Sequence, residues 1–169
     1  MKRLFLVLFV FGFISCSADK KQQDKEFIEQ MERSTLSDVK VISYEKADSL
    51  INGYLNYVKN YPEDSLCATY LYRAADVYAN TKRCLESIKT YDRLIAEYPD
   101  NVLVESAYFL KGIVFSQTCL NKEKAAEAFT LFIEKYPNSN LCDQARTLLI
   151  MDTMKDEMDL VRQCEQKNQ

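Results

Sequence analysis

The chain has 169 residues and a mass of 19.7 kDa, with 47% hydrophobic and 28% charged residues, 22 basic against 25 acidic, for a net charge of −3. That composition is one ordinary globular domain's worth of core-forming chain, neither disordered nor collagenous. It has no histidine and only three glycines, Gly12, Gly53 and Gly112, which excludes imidazole-dependent catalysis and His-ligated zinc and leaves no phosphate-cradling loop of the nucleotide-enzyme type.

The N-terminus reads as a leader. Lys2 and Arg3 precede an eleven-residue apolar run, Leu4 to Ile14, too short to cross a hydrocarbon core of about 30 Å. Phe13-Ile14-Ser15-Cys16 then places a small residue directly before a cysteine. This resembles the lipobox of bacterial lipoprotein precursors, although Phe13 stands where the pattern usually has Leu. The resemblance implies cleavage after residue 15, so that residues 1–15 are a lipoprotein signal peptide and Cys16 becomes a lipid-bearing N-terminus. Two or three acyl chains on that cysteine give stable anchoring where one is reversible. Loss of Lys2 and Arg3 leaves 20 basic and 25 acidic residues, a balance that attracts neither nucleic acid nor anionic lipid head groups. Ser17 stands where Asp would resemble an inner-membrane retention signal, so the expected location is the bacterial outer membrane, facing the periplasm.

Residues 16–26 are polar and read as a lipidated flexible tether. A helical pattern starts at about residue 24 with Phe27, Ile28 and Met31 on one face, and Ser34-Thr35 interrupt it. Beyond that point the chain repeats. Its three prolines all follow tyrosine, in Tyr61-Pro62, Tyr98-Pro99 and Tyr136-Pro137, at spacings of 37 and 38 residues. Aligning on them stacks Ile51, Ile88 and Ala126; Tyr54, Tyr91 and Phe129; Tyr57, Leu94 and Phe132; and Val58, Ile95 and Ile133. Offsets of 3, 6, 7 and 10 trace one helical face. Each such helix ends at its Tyr-Pro, because proline disfavours helical backbone in the residue before it and offers no N–H.

A second helix occupies the other half of each unit, framed by Leu71, Ala74, Ala75 and Tyr78 and then by Tyr108, Gly112 and Phe115. The small residue allows two helices to approach and the aromatic fills the space beyond. With Ser87 and Ala125 as small residues in the second helix, this pattern is similar to the tetratricopeptide repeat. The period exceeds the usual 34, mostly in the polar junction after each proline. Ala107 to Ala145 carries the strongest likeness, and the long junction resembles that of the outer-membrane assembly lipoprotein family, BamD-like. The expected fold is all-α, a short right-handed α-solenoid of tetratricopeptide-like helix pairs over residues 27–164, with a frayed tail at 165–169. Its helices are expected at 44–61, 66–81, 84–98, 103–118, 122–136 and 141–164, with an N-terminal helix at 24–40 capping the first of them.

Such repeats bind peptide segments on the wall built by the first helix of each pair. Tyr72, Asp76 and Asn80, then Phe109, Ile113, Ser116 and Gln117, then Met151 point away from the pair contact. Tyr72, Phe109, Ile113 and Met151 either form an apolar binding stripe or are buried as core. Cysteine leaves two readings as well. Cys84 with Cys119, at neighbouring helix-to-helix turns, and Cys142 with Cys164, if the chain turns back between them, are candidate disulfides that leave Cys67 over; otherwise all five pack as small buried residues. No Cys-x-x-Cys signals a redox site or zinc knuckle. The acidic residues sit at helix starts and polar faces, so no catalytic pair, metal or cofactor is expected. The resemblance implies a lipid-anchored, non-enzymatic scaffold accessory to outer-membrane β-barrel assembly, binding the barrel-assembly channel or a substrate's terminal peptide. The alternative is a periplasmic adaptor for peptidoglycan synthesis or cell division; a thiol-redox protein is a distant third.

Overall fold

A computed structural model describes residues 5–36 and 42–151. The chain divides into two compact units, residues 1–74 and 75–169, and the described residues are all-α. The helices are α1 (Phe5–Leu36), α2 (Tyr44–Asn60), α3 (Cys67–Asn80), α4 (Cys84–Glu97), α5 (Leu103–Ile113), a π-helical turn at Val114–Thr118, and α6 (Lys122–Lys135). A last helix occupies 142–151 at the edge of the described residues. The fold class is that of consecutive tetratricopeptide-like helix pairs.

In the first unit, α2 is started by Ser43, whose hydroxyl accepts from the Lys46 amide at 3.4 Å. It buries Ala47, Leu50, Ile51, Tyr54, Tyr57 and Val58, the face the periodicity marks out. Helix α1 lies along α2, with Ile28 buried against Gly53, where an added Cβ would stand 3.3 Å from the Ile28 Cγ1. Polar contacts fix the same pairing: the Tyr54 hydroxyl donates to Glu32 at 2.7 Å, the Tyr61 hydroxyl to Asp24 at 2.8 Å, and Arg73 and Lys21 pair with Glu32 and Asp64. Burial works against the charge on Asp64, yet hydrogen bonds from Lys21 and the Leu66 amide hold its carboxyl below the usual carboxylate range.

Three expectations for this region are corrected. Residues 17–26 are helical rather than a loose tether, because Lys21 and Asp24 have partners at Asp64 and Tyr61 that hold that stretch of helix in place. Ser34 and Thr35 do not interrupt α1; the Ser34 hydroxyl donates back to the Met31 carbonyl at 2.9 Å, and Thr35 is buried. Phe27 is 58% exposed, since the helix turns Ile28, not its neighbour, toward α2. Residues 1–4, 37–41 and 152–169, and with them Cys164 and the tail, lie outside the described residues.

The long junctions share one geometry. Tyr61, Tyr98 and Tyr136 cap α2, α4 and α6 with φ/ψ near −135/55, −133/56 and −126/59, out of the helical region as the following proline demands. Each tyrosine carbonyl accepts from the amide three residues on, in Asp64, Asn101 and Ser139. The side chains of those same residues accept from the amides of Leu66, Leu103 and Leu141, at 2.8, 3.0 and 3.1 Å, and so start the next helix. Cys67 and Cys142 stand one residue further on, each Sγ donating to the tyrosine carbonyl at 3.0 Å; Val104 takes that place in the middle junction.

In the second unit α4 packs on α3 through small residues: Ala75 and Ser87 are fully buried, and the Ser87 hydroxyl donates to the Ala75 carbonyl at 2.9 Å. Between α5 and α6 the Phe129 ring lies on Gly112, and Phe109, Phe129, Phe132, Cys142 and Ala145 form a buried cluster. The 38-residue repeat has its extra residue here. Gly112 stands as far after Pro99 as Ala75 after Pro62, and Leu120 as far before Pro137 as Lys82 before Pro99, so the insertion falls between Gly112 and Leu120. It is absorbed as the π-turn, in which the Cys119 amide bonds the Val114 carbonyl at 2.9 Å.

A Cβ on Gly112 would approach the Phe129 ring to 2.5 Å, and a rigid ring buried against Phe109 does not yield as a flexible chain end does. Gly112→Ala is expected to destabilise the protein by about 1–3 kcal/mol, read by denaturant unfolding, and adding Phe129→Leu to restore part of the loss.

Candidate functional site

The second unit holds a cleft of about 220 Å³ between α3, α4 and α5 with its π-turn. Helix α3 contributes Asp76, Ala79 and Asn80, α4 contributes Tyr91, and Leu110, Ile113, Val114, Gln117 and Thr118 form the opposite wall, with Lys82 at the turn. The arrangement follows from local packing. Ala75 and Ser87 bring α3 and α4 together, so the next residue on α3, Asp76, comes level with Tyr91, whose hydroxyl donates to Asp76 Oδ1. Beyond Gly112 the π-turn re-aims the chain, carrying Gln117 and Thr118 to the cleft rim.

Asp76 is the chemically distinctive group. Burial pushes its carboxyl above the usual range, and the Tyr91 hydrogen bond only partly opposes this. Among the described residues no cation pairs with it, in contrast to Asp64 with Lys21, Glu32 with Arg73 and Asp92 with Lys111. Lys82 lines the cleft but is exposed and stands at φ 62, as Leu120 does at φ 53 in the corresponding turn; left-handed backbone is sterically strained for both side chains.

Cys84 and Cys119 are joined by a disulfide, with their Cα atoms 5.2 Å apart, inside the ordinary range for such bridges. It ties the start of α4 to the end of the π-turn, one residue from Thr118 and two from Lys82 of the cleft. Cys142 is free and buried, its thiol directed at the Tyr136 carbonyl; the candidate pair Cys142–Cys164 rests on Cys164, which lies outside the described residues.

Of the side chains expected on the binding wall, Asp76, Asn80, Ile113 and Gln117 do meet in this cleft. Phe109 does not: only 6% exposed, it faces Phe129 and Phe132 at ring distances of 5.9 and 5.5 Å and is core. Ser116 is half-buried outside the cleft lining, Tyr72 is half-buried in the first unit, and Met151 is 61% exposed at the edge of the described residues. The continuous stripe Tyr72, Phe109, Ile113, Met151 is therefore not what lines the cleft. Sequence reasoning missed Lys82, Tyr91 and Thr118. Tyr91 carried a readable signal, because it keeps a hydroxyl where the aligned Phe129 has none.

Residues 69–101 and 106–139 each match the tetratricopeptide repeat, and these stretches hold most of α3 with α4, and most of α5 with the π-turn and α6. No curated protein matches the chain. Repeats of this kind are typically non-catalytic and act by contact with other proteins.

Two outcomes follow. The disulfide closes a loop spanning 35 positions, so Cys84→Ser with Cys119→Ser, or reduction, is expected to lower stability by about 3–4 kcal/mol, seen as an earlier denaturant midpoint. Asp76 has a raised folded-state value, so its ionisation costs stability above that value and costs nothing below the unfolded one, about pH 3.9. Asp76→Asn keeps an acceptor for Tyr91 and is expected to raise Tm by a few degrees at pH 7, with no gain at about pH 3.

Proposed function

We propose that the protein is a lipid-anchored scaffold of the bacterial envelope whose repeats dock a protein partner, as an accessory of outer-membrane β-barrel assembly. Tetratricopeptide repeats are protein-interaction modules, and that general role rests on the two matched stretches. The cleft beside Asp76 is the observation that carries the docking reading: Asp76, Asn80, Ile113 and Gln117 meet in its lining, and among the described residues no cation neutralises the Asp76 carboxylate. A partner segment laid there would meet apolar walls at Leu110, Ile113 and Val114 and polar groups at Asn80 and Gln117, the mixture suited to an extended peptide.

The envelope reading is supported by Lys2-Arg3, the apolar run to Ile14 and the Ser15-Cys16 pair. A second support is the Cys84–Cys119 bridge, since disulfides persist in oxidising compartments such as the periplasm and are rare in the cytosol. Among the described residues no helix is long and apolar enough to cross a membrane; attachment in this reading is by the lipid on Cys16. Cleavage before Cys16 would leave α1 from Cys16 to Leu36, including the Lys21, Asp24 and Glu32 contacts that hold it to the first unit. The barrel-assembly role rests on resemblance in the long Tyr-Pro junctions, whose shared hydrogen-bond pattern all three copies display.

Wild-type protein is expected to incorporate an alkyne fatty acid, to fractionate with outer membranes and to co-purify with the barrel-assembly channel from mild detergent. Cys16→Ala is expected to lose the label and the membrane fraction together. Recovery of peptidoglycan-synthesis or division proteins instead of the channel would replace the assembly role with that of an adaptor for those machines.

A further inference from the structure

We propose that the cleft beside Asp76 receives a cationic side chain, lysine or arginine, from the docked partner segment; this rests on the partner-binding reading above and names the chemistry of its recognition. The cleft, at about 220 Å³, is below the size of ordinary small-molecule pockets of about 300–1,000 Å³ and of a scale for one long side chain. Its chemistry is graded in the way such a side chain is. Leu110, Ile113 and Val114 offer an apolar wall against which an aliphatic stem can lie, while a charged head needs a polar terminus. Asp76 provides it.

The carboxylate is half-buried and accepts one hydrogen bond, from Tyr91, on Oδ1. Among the described residues it has no ion-pair partner, whereas two other partly covered acids, Asp64 and Glu32, each have one; Asp24 and Glu105, half-buried as well, accept a hydroxyl hydrogen bond as Asp76 does. A half-buried carboxylate in that condition is costly to the fold, as its raised titration reflects. An incoming ammonium or guanidinium would supply the missing charge in a site already shielded from water, where charge-assisted hydrogen bonds are strongest. A divalent metal is a poorer fit, because one carboxylate falls far short of the six or more oxygens such ions take. The Tyr91 hydroxyl fixes the carboxylate's orientation, and the Cys84–Cys119 bridge fixes the turn beside it.

Among the described residues, Lys82 is the one cation in the lining. Exposed, on a strained turn and making no ion pair among the described residues, it opposes a second cation rather than replacing it. The two residues therefore make opposite predictions: removing the Asp76 charge should weaken binding of a basic segment, and removing the Lys82 charge should strengthen it.

The test uses the full chain and short fluorescein-labelled peptide pools of mixed apolar and polar sequence, each fixed at its centre as Lys, Arg, Gln or Glu, with Kd read by fluorescence polarisation. Lys and Arg pools are expected to bind roughly tenfold or more tighter than Gln or Glu pools, the worth of one charge-assisted hydrogen bond. Asp76→Asn should erase that preference while the protein stays folded by circular dichroism. Lys82→Asn, which suits left-handed backbone, should tighten the Lys and Arg pools. Equal binding of all four pools, or a preference for Glu, overturns the cationic assignment and leaves peptide docking intact; binding of none overturns both.

Discussion

A tyrosine carbonyl held out of the helix by the proline that follows it is the constraint on which the described helix pairs depend. At Tyr61, Tyr98 and Tyr136 the pre-proline backbone leaves the helical region while the carbonyl stays in use, accepting from Asp64, Asn101 and Ser139. Those same residues then cap the next helix through their side chains. End of one helix and start of the next are thus a single hydrogen-bonded unit, so the angle at which the chain leaves each pair is fixed by short-range chemistry. Cys67 and Cys142 serve this unit by donating to the tyrosine carbonyl. They are structural cysteines, distinct in role from the bridged pair.

With the junctions fixed, what distinguishes one pair from the next is the small residue at its centre. Ala75 against Ser87 leaves room for a polar contact, and Asp76 with Tyr91 occupies it; Gly112 admits the whole Phe129 ring and leaves none. The extra residue that follows Gly112 becomes a π-turn and helps shape the cleft wall at Gln117 and Thr118. Asp76 is then an instance of a familiar conflict: a half-buried, unpaired charge lowers stability, and the proposed partner contact is what would compensate it. Among the described residues, the Tyr91 hydrogen bond offsets part of its cost and no cation does.

Much of this was legible in the sequence because it is carried by local rules. Three Tyr-Pro dipeptides marked the ends of α2, α4 and α6, and period-3.6 patterning marked their buried faces. The site was only partly legible. Asp76, Asn80, Ile113 and Gln117 could be placed by helix phase alone, whereas Phe109 has the same phase as a wall residue but is drawn into the ring cluster with Phe129 and Phe132, a tertiary choice between two apolar environments. The helical state of residues 17–26 was hidden because their composition is polar, and only distant partners, Asp64 and Tyr61, reveal why the segment is held. The π-turn was readable in principle from the 37 and 38 spacings, but only once the two left-handed turn residues, Lys82 and Leu120, located the insertion.

The cleft between α3, α4 and the π-turn is where the proposed protein partner sits. Hydrogen–deuterium exchange on the full chain, alone and with the partner that co-purifies with it, tests this most directly. Bound partner is expected to slow exchange in two separated segments, residues 76–82 and 113–118. Protection confined to other surfaces, with both of these segments exchanging as in the isolated protein, would contradict it.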